Sequence, residues 1–255
     1  MKQYDAIIIG FGKGGKTLAA ELAKRNEKVA VIERSDEMYG GTCINIGCIP
    51  TKTLVHQAKL APVKASWEEK KAYYAQAIAE KEEVTSFLRQ KNYHNLADNP
   101  HITVYTGIGS FVSTDVVEVV MHDEILQLQA PRIYINTGAE TIIPPIDGVK
   151  DNPLVYTSTS IMELKDLPEK LEGNSELISR EDRDIASAVK ETLEKKGIVF
   201  CLNAKVQSIR EGKVVYRDAV SSELHSLEAD AVLLATGRKP NTAGLNLQVA
   251  GVKVN

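Results

Sequence analysis

DAIIIGFGKGGKTLAAELAKRNEKVAVIE, residues 5–33, decides the fold. An apolar run from Asp5 to Ile9 reads as a buried strand, the glycines form a turn, a helix is expected at about Lys16 to Arg25, and Lys28 to Glu33 forms a second buried strand. This order is a βαβ unit. Gly10, Gly12 and Gly15 take the G-x-G-x-x-G positions: the first for the tight turn, the second for backbone approach to a pyrophosphate, the third for close helix-to-strand contact. Glu33 closes the second strand at the spacing expected of a carboxylate that holds a ribose hydroxyl. The fold class expected is α/β, with a Rossmann-type dinucleotide-binding domain.

Composition sets the frame around this unit. The chain has 255 residues, 43% hydrophobic and 25% charged, enough for one large or two modest domains. A net charge of −3 predicts no general attraction to nucleic acid or anionic membrane. Three cysteines, Cys43, Cys48 and Cys201, are too few for a secreted disulfide framework, and the N-terminal apolar run is too short for a leader or a membrane span. A soluble, cytoplasmic protein is expected.

Two of those cysteines stand in GGTCINIGCIPTK, residues 40–52. In one continuous helix Cys43 and Cys48 would lie on different faces, roughly 8 Å or more apart at Cα, beyond the usual disulfide span. Pairing therefore requires a loop or a break between them, for which Gly47 and Pro50 supply the means. Pro50 suits the first turn of a helix, placing Cys48 near its positive end, where a thiolate is stabilised. Three roles stay open at this point: a structural disulfide, a zinc site and a redox pair. The first is disfavoured by the short loop and a reducing compartment, the second by the lack of a four-ligand set. The residues favour the third.

GGTCINIGCIPTK behind GFGKGG resembles the class I flavoprotein disulfide reductases, the pyridine nucleotide-disulfide oxidoreductase family of glutathione reductase, dihydrolipoamide dehydrogenase and mercuric reductase. YTGIGSF (105–111), INTGAETIIPPIDG (135–148) and ATGRKPNTAGL (235–245) resemble its later motifs in order. MYGGTCINIGCIPTKTLVH with NYHNLAD (92–98) is most similar to the mercuric-reductase-like branch, which includes bacterial reactive-chlorine resistance flavoproteins. The resemblance implies FAD held by Gly10, Gly12, Gly15 and Glu33, with Gly41 and Thr42 along the pyrophosphate and Lys52 beside the flavin; Thr137 and Gly138, which follow the return strand, either cross near the cofactor or form a simple surface turn. It implies Cys48 against the flavin and Cys43 exchanging with substrate, with electrons arriving from NAD(P)H and leaving to a disulfide, an oxidant or a soft metal ion such as Cu(II) or Hg(II). Dihydrolipoamide dehydrogenase is the alternative enzyme, and a noncatalytic FAD-binding fragment the alternative of another kind. No resident metal site is assigned; Cys43 and His56 are the nearest pair that a soft ion would meet.

Between these motifs, WEEKKAYYAQAIAEKEEVTSFLRQKNYHNLA (67–97) reads as one long amphipathic helix, with Tyr73 and Tyr74 as packing residues. Short alternating runs from Ile102 to Ile135 predict a small antiparallel sheet before the return strand RIYIN. GIVFCLNA reads as a buried strand with Cys201 as a small hydrophobe. By resemblance, residues 1–149 form the first part of the FAD domain, 150–235 an incomplete NAD(P)-binding domain, and 236–255 the return to the FAD domain. The family's second glycine fingerprint is missing at an abrupt join between Leu171 and Glu172, which leaves Glu172 as a stranded ribose acid. The chain stops before the family's C-terminal dimerisation domain, so a homodimer is expected only of a full-length parent.

Overall fold

The computed structural model describes residues 1–167, 171–172, 183–195 and 197–254. They divide into two compact units: Met1–Glu140 with Met162–Leu167 and Arg238–Asn255, and Thr141–Ile161 with Pro168–Gly237.

The first unit is built on a four-stranded parallel sheet of β2 (Ala6–Ile9), β3 (Val29–Glu33), β4 (Ile102–Thr106) and β8 (Ile133–Ile135), in the order β4-β3-β2-β8. Every residue of β2 and β3 is buried, because both faces of the sheet are covered. Alternation divides them cleanly. Ala6, Ile8, Val29 and Val31 pack with Ala19, Leu22 and Ala23 of helix α1 (Lys13–Lys24), whereas Ile7, Ile9, Ala30 and Ile32 pack with Phe111, Val117, Val119 and Leu128. The last four belong to a second sheet, where β5 (Ile108–Phe111), β6 (Val116–Val120) and β7 (Ile125–Gln129) run antiparallel and β1 (Lys2–Gln3) adds parallel to β7.

The βαβ unit agrees with the sequence reading, except that α1 begins at Lys13, inside the glycine run. Ile102–Thr106 needs correction. It was expected in the antiparallel sheet but pairs parallel with β3, Val31 opposite Val104; the free edge of a buried parallel sheet prevails over its short, alternating pattern. The long helix is observed as α4 (Trp67–Ala97), started by a capping box in which Ser66 and Glu69 bond reciprocally. Tyr73 donates to the Gln57 carbonyl at 3.1 Å and Tyr74 to the Leu164 carbonyl at 2.7 Å, so both tyrosines fasten α4 to its neighbours.

The second unit holds a three-stranded parallel sheet, β10 (Val155–Thr157), β15 (Ala231–Leu234) and β11 (Leu171–Glu172), in the order β10-β15-β11. It also holds an antiparallel meander of β12 (Ala204–Arg210), β13 (Lys213–Asp218) and β14 (Leu224–Glu228). The Glu172 side chain lies outside the described residues. The expected GIVFCLNA strand is not formed: residues 198–201 belong to no regular element, Val199 is 82% exposed and Cys201 is half-buried. Among the described residues no strand pairs with this run, and apolar content alone does not make a strand. Among the described residues no helix is long and apolar enough to cross a membrane.

Leu128 is fully buried between the two sheets of the first unit. Leu128→Ala should cost about 2–5 kcal/mol of stability, read as a lower urea midpoint.

Candidate active site

The site begins at the end of β2. Gly10 has φ +108°, and a Cβ there would stand 2.3 Å from the Asn136 carbonyl oxygen, so only glycine permits the turn. A Cβ at Gly15 would meet the Gly10 carbonyl oxygen at 2.5 Å, which is the close helix-to-strand approach expected of that position. Gly12 forms the N-cap of α1, with no side chain capping it and no acid in the first turn. The free N–H groups and partial positive charge of the helix start are therefore available to an anionic group.

Glu33 lies opposite, 8% exposed, at the end of β3. Its carboxylate accepts the Phe11 N–H at 2.9 Å. Burial pushes its pKa up, opposed by hydrogen bonds from the backbone N–H groups of Phe11, Ser35 and Arg34. A buried carboxylate aimed at the glycine turn, an uncapped helix start and a cradle with no room for a Cβ together fit the adenosine and pyrophosphate parts of FAD. Thr137, just past the end of β8, is half-buried, with its backbone nitrogen 3.1 Å from the place of a Gly10 Cβ; Gly138 follows, exposed, at φ +69°.

The cysteine stretch meets the same turn. Gly41 has φ +73°, and a Cβ there would lie 2.4 Å from the Gly12 Cα: backbone rests on backbone. From this contact start two helices, α2 (Thr42–Asn45) and α3 (Cys48–Leu60), separated by Ile46 and Gly47. The break is what the two cysteines need. It lets Cys48 turn back toward Cys43; both cysteines are free thiols, close enough to act on each other. The neighbouring Cys48 thiol is the main reason the Cys43 pKa is raised, with burial adding to it and Lys13 and Lys16 opposing. Cys48 is the first residue of α3, and Pro50, fully buried, sits in its first turn.

Thr42, Cys48, Lys52 and His56 are exposed, and Pro50 is the only buried residue of α3. That helix thus shows solvent a surface holding a thiol, an ammonium and an imidazole. Among the described residues no group of three or more His, Cys, Asp or Glu could hold a metal ion. Two asparagines, Asn92 and Asn136, take roles at the site that no motif assigns. The Asn136 side chain donates to the Gly10 carbonyl at 3.2 Å and fills the space beside Gly12 and Gly14. Asn92, on α4, accepts from the Lys16 ammonium. The only signal for Asn136 was its place just before Thr137 and Gly138.

The family model for pyridine nucleotide-disulphide oxidoreductases matches residues 4–171 and 170–255, and the chain belongs to that family. It is 43% identical over 283 aligned positions to the probable pyridine nucleotide-disulfide oxidoreductase RclA of Escherichia coli strain K12, covering 100% of this chain and 61% of that protein. It is 30% identical over 285 positions to mercuric reductase of Lysinibacillus sphaericus, covering 98% and 51%. A solved Cu(II) complex of the HOCl-induced flavoprotein disulfide reductase RclA from Escherichia coli superposes with a TM-score of 0.89 at 42% identity, over 100% of this chain and 61% of that one. The chain therefore spans about three-fifths of RclA's length, and both sequence alignments run longer than its own 255 residues.

Because burial raises the Glu33 pKa, the folded ligand-free protein holds this proton more tightly than the unfolded chain. Its contribution to stability is present at low pH. It is lost as pH rises from the ordinary glutamate value through the raised folded value, and is flat above. Glu33→Gln should remove that slope from a series of denaturation midpoints while weakening FAD binding.

Proposed function

We propose that this chain is the FAD-binding and dithiol-bearing part of a flavoprotein disulfide reductase, in which Cys43 and Cys48 pass an electron pair to a disulfide, an oxidant or a soft metal ion. One observation carries the reading: two free thiols flank the helix break at Ile46–Gly47, in a stretch whose leading glycine, Gly41, rests on Gly12 of the glycine turn. FAD would be held by Gly10, Gly12, Gly15, Glu33, Gly41 and Thr42, with Thr137 and Gly138 alongside and Lys52 offering positive charge from α3. When bound, it supplies a two-electron carrier that can return the pair to the dithiol.

The Cys43 thiolate attacks one sulfur of the acceptor disulfide; the acceptor's S–S bond breaks, and its departing sulfur takes a proton. Cys48, as thiolate, then attacks the Cys43 sulfur, closing the Cys43–Cys48 disulfide and releasing the acceptor's second thiol. With copper as substrate, two Cu(II) ions each take one electron as the disulfide closes and two protons leave; a single Hg(II) takes both electrons. The soft-ion reading draws on the likeness to mercuric reductase and to the RclA–Cu(II) complex, together with the softness of thiolates.

The nicotinamide cofactor does not find the same fit. Across residues 141–237 the glycines are Gly148, Gly173, Gly197, Gly212 and Gly237, which make no G-x-G-x-x-G. No hydride step is assigned to these residues. The excess of aligned positions over chain length, and a family match that splits at residues 170–171, favour a missing βαβ unit between Leu171 and Glu172. By this reading residues 1–149 and 236–255 make the FAD domain and 150–235 a shortened NAD(P) domain. The homodimer, the cytoplasmic setting and turnover with NADH or NADPH belong to a full-length parent. Dihydrolipoamide dehydrogenase remains the second reading for that parent, supported by 29% identity to the enzyme of Acholeplasma laidlawii.

Purified protein should bind FAD in preference to FMN, which lacks the adenosine that Glu33 would hold. In the reduced thiol state with oxidised FAD, a long-wavelength charge-transfer band should survive Cys43→Ser and vanish in Cys48→Ser. The opposite pattern would reverse the two roles. Steady-state NADH and NADPH oxidation by this chain should fall well below about 1 per second, the low end of ordinary enzyme turnover; a rate above that would show that the chain serves a nicotinamide without the fingerprint.

A further inference from the structure

The chain as a whole is acidic, with a net charge of −3, yet the surroundings of Cys43 are not. Because Gly41 rests on Gly12, α2 begins over the start of α1, where Lys13 and Lys16 stand. Lys13 is exposed, and Lys16 is half-buried. A free lysine would spread its charge over many rotamers; Lys16 is held instead. Its ammonium donates to Asn92 Oδ1, and the Asn92 amide donates to the Leu88 carbonyl at 2.7 Å. The same Asn92 lies directly against the glycine pair, its Cγ 3.2 Å from where a Gly40 Cβ would stand. The charge is thus fixed beside the backbone that carries Cys43.

In the ligand-free protein the remaining side-chain charges nearby, among the described residues, do not cancel it. Arg89, reaching over from α4, is engaged by Glu37 and Asn45, so that cation and that acid neutralise each other. From α3 comes the Cys48 thiol. Lys16 and the Cys43 sulfur act on each other: burial lowers the Lys16 pKa and the Cys43 thiolate raises it. A half-buried charge is screened by salt less than an exposed one, and its field acts on whatever approaches the sulfur.

We propose that Lys16, held by Asn92 and assisted by Lys13, makes the approach to the Cys43 sulfur cationic and so selects small anionic acceptors, carboxylate-bearing disulfides among them, for exchange there. This rests on the reading of Cys43 as the exchanging thiol. In the selected step the Cys43–acceptor S–S bond forms, the acceptor's own S–S bond breaks, and the leaving thiolate takes a proton from water. A negative charge on the acceptor lowers the energy of approach without entering the bond changes.

The test uses two alkylating probes on the reduced, full chain, with and without added FAD. Iodoacetate is anionic and iodoacetamide neutral; both require the same thiolate, so the ratio of their rates at one cysteine cancels the thiolate population and leaves the local field. Rates are read separately for the Cys43 and Cys48 peptides by mass spectrometry. At low salt, Lys16→Gln should lower the iodoacetate-to-iodoacetamide ratio at Cys43 by about threefold or more, Lys16→Arg should retain it, and Lys13→Gln should lower it less. Asn92→Ala, which frees the ammonium, should also lower it. Molar salt on the unaltered protein should reduce the ratio in the same direction, a measurement that stands even where a variant fails to fold. A Cys43 ratio indifferent to both salt and Lys16→Gln would overturn the proposal, as would an equal fall at Cys48 or an equal loss in Lys16→Arg. Alkylation involves no flavin and no electron acceptor, so these outcomes are independent of whether the pair cycles.

Discussion

The contact on which the site depends is between two glycines. Gly12 caps the helix that follows the first strand, and Gly41 precedes the helix that carries Cys43. A side chain at Gly41 would lie 2.4 Å from the Gly12 Cα, so the two backbones touch only because neither residue has a Cβ in the way. On the proposed reading, one fold element offers a place for a dinucleotide and the other presents a pair of thiols. Without this contact they would be separate features of the sequence; with it, α2, the break at Ile46–Gly47 and the start of α3 are set against the glycine turn.

Around that contact the chain leaves polar groups in states that cost stability. The start of α1 has neither a capping side chain nor an acid, although Ser66 and Glu69 show that the sequence can cap a helix fully where nothing needs to bind. Glu33 is buried at a raised pKa, held by backbone N–H groups. Eight of the thirteen residues of α3, Cys48 and Lys52 among them, are exposed. Each is a local cost that a bound anionic dinucleotide would offset, and each lies at the same end of the parallel sheet, beyond the carboxyl ends of β2 and β3, where open α/β sheets bind their ligands.

Much of this was legible in the sequence because it is encoded locally. The glycine spacing, the buried runs and the closing glutamate identify a βαβ unit within thirty residues, and the unbroken helix formers from Trp67 to Ala97 leave no alternative to a long helix. The break between the cysteines was legible too, since a disulfide span excludes a continuous helix. What escaped depends on distant partners. Ile102–Thr106 carries the alternation of an antiparallel strand but takes the vacant edge of the parallel sheet. Residues 198–201 carry the apolar content of a strand but join no strand among the described residues; the Ile198 N–H donates instead to the Leu193 carbonyl at the end of the preceding helix. Asn136 and Asn92 have no motif of their own, and their roles come from what α1 and the glycine pair present to them, 126 residues away for Asn136 and 76 for Asn92.

The central claim is that the nucleotide turn and the thiol pair form one unit through Gly12 and Gly41. The direct measurement is made on Gly41→Ala: FAD affinity by fluorescence and formation of the Cys43–Cys48 disulfide by thiol counting, with circular dichroism to confirm that the parallel-sheet unit remains folded. The account predicts that both properties fall together while the fold persists. A folded Gly41→Ala protein that keeps full FAD affinity and forms the disulfide as readily as before would contradict it.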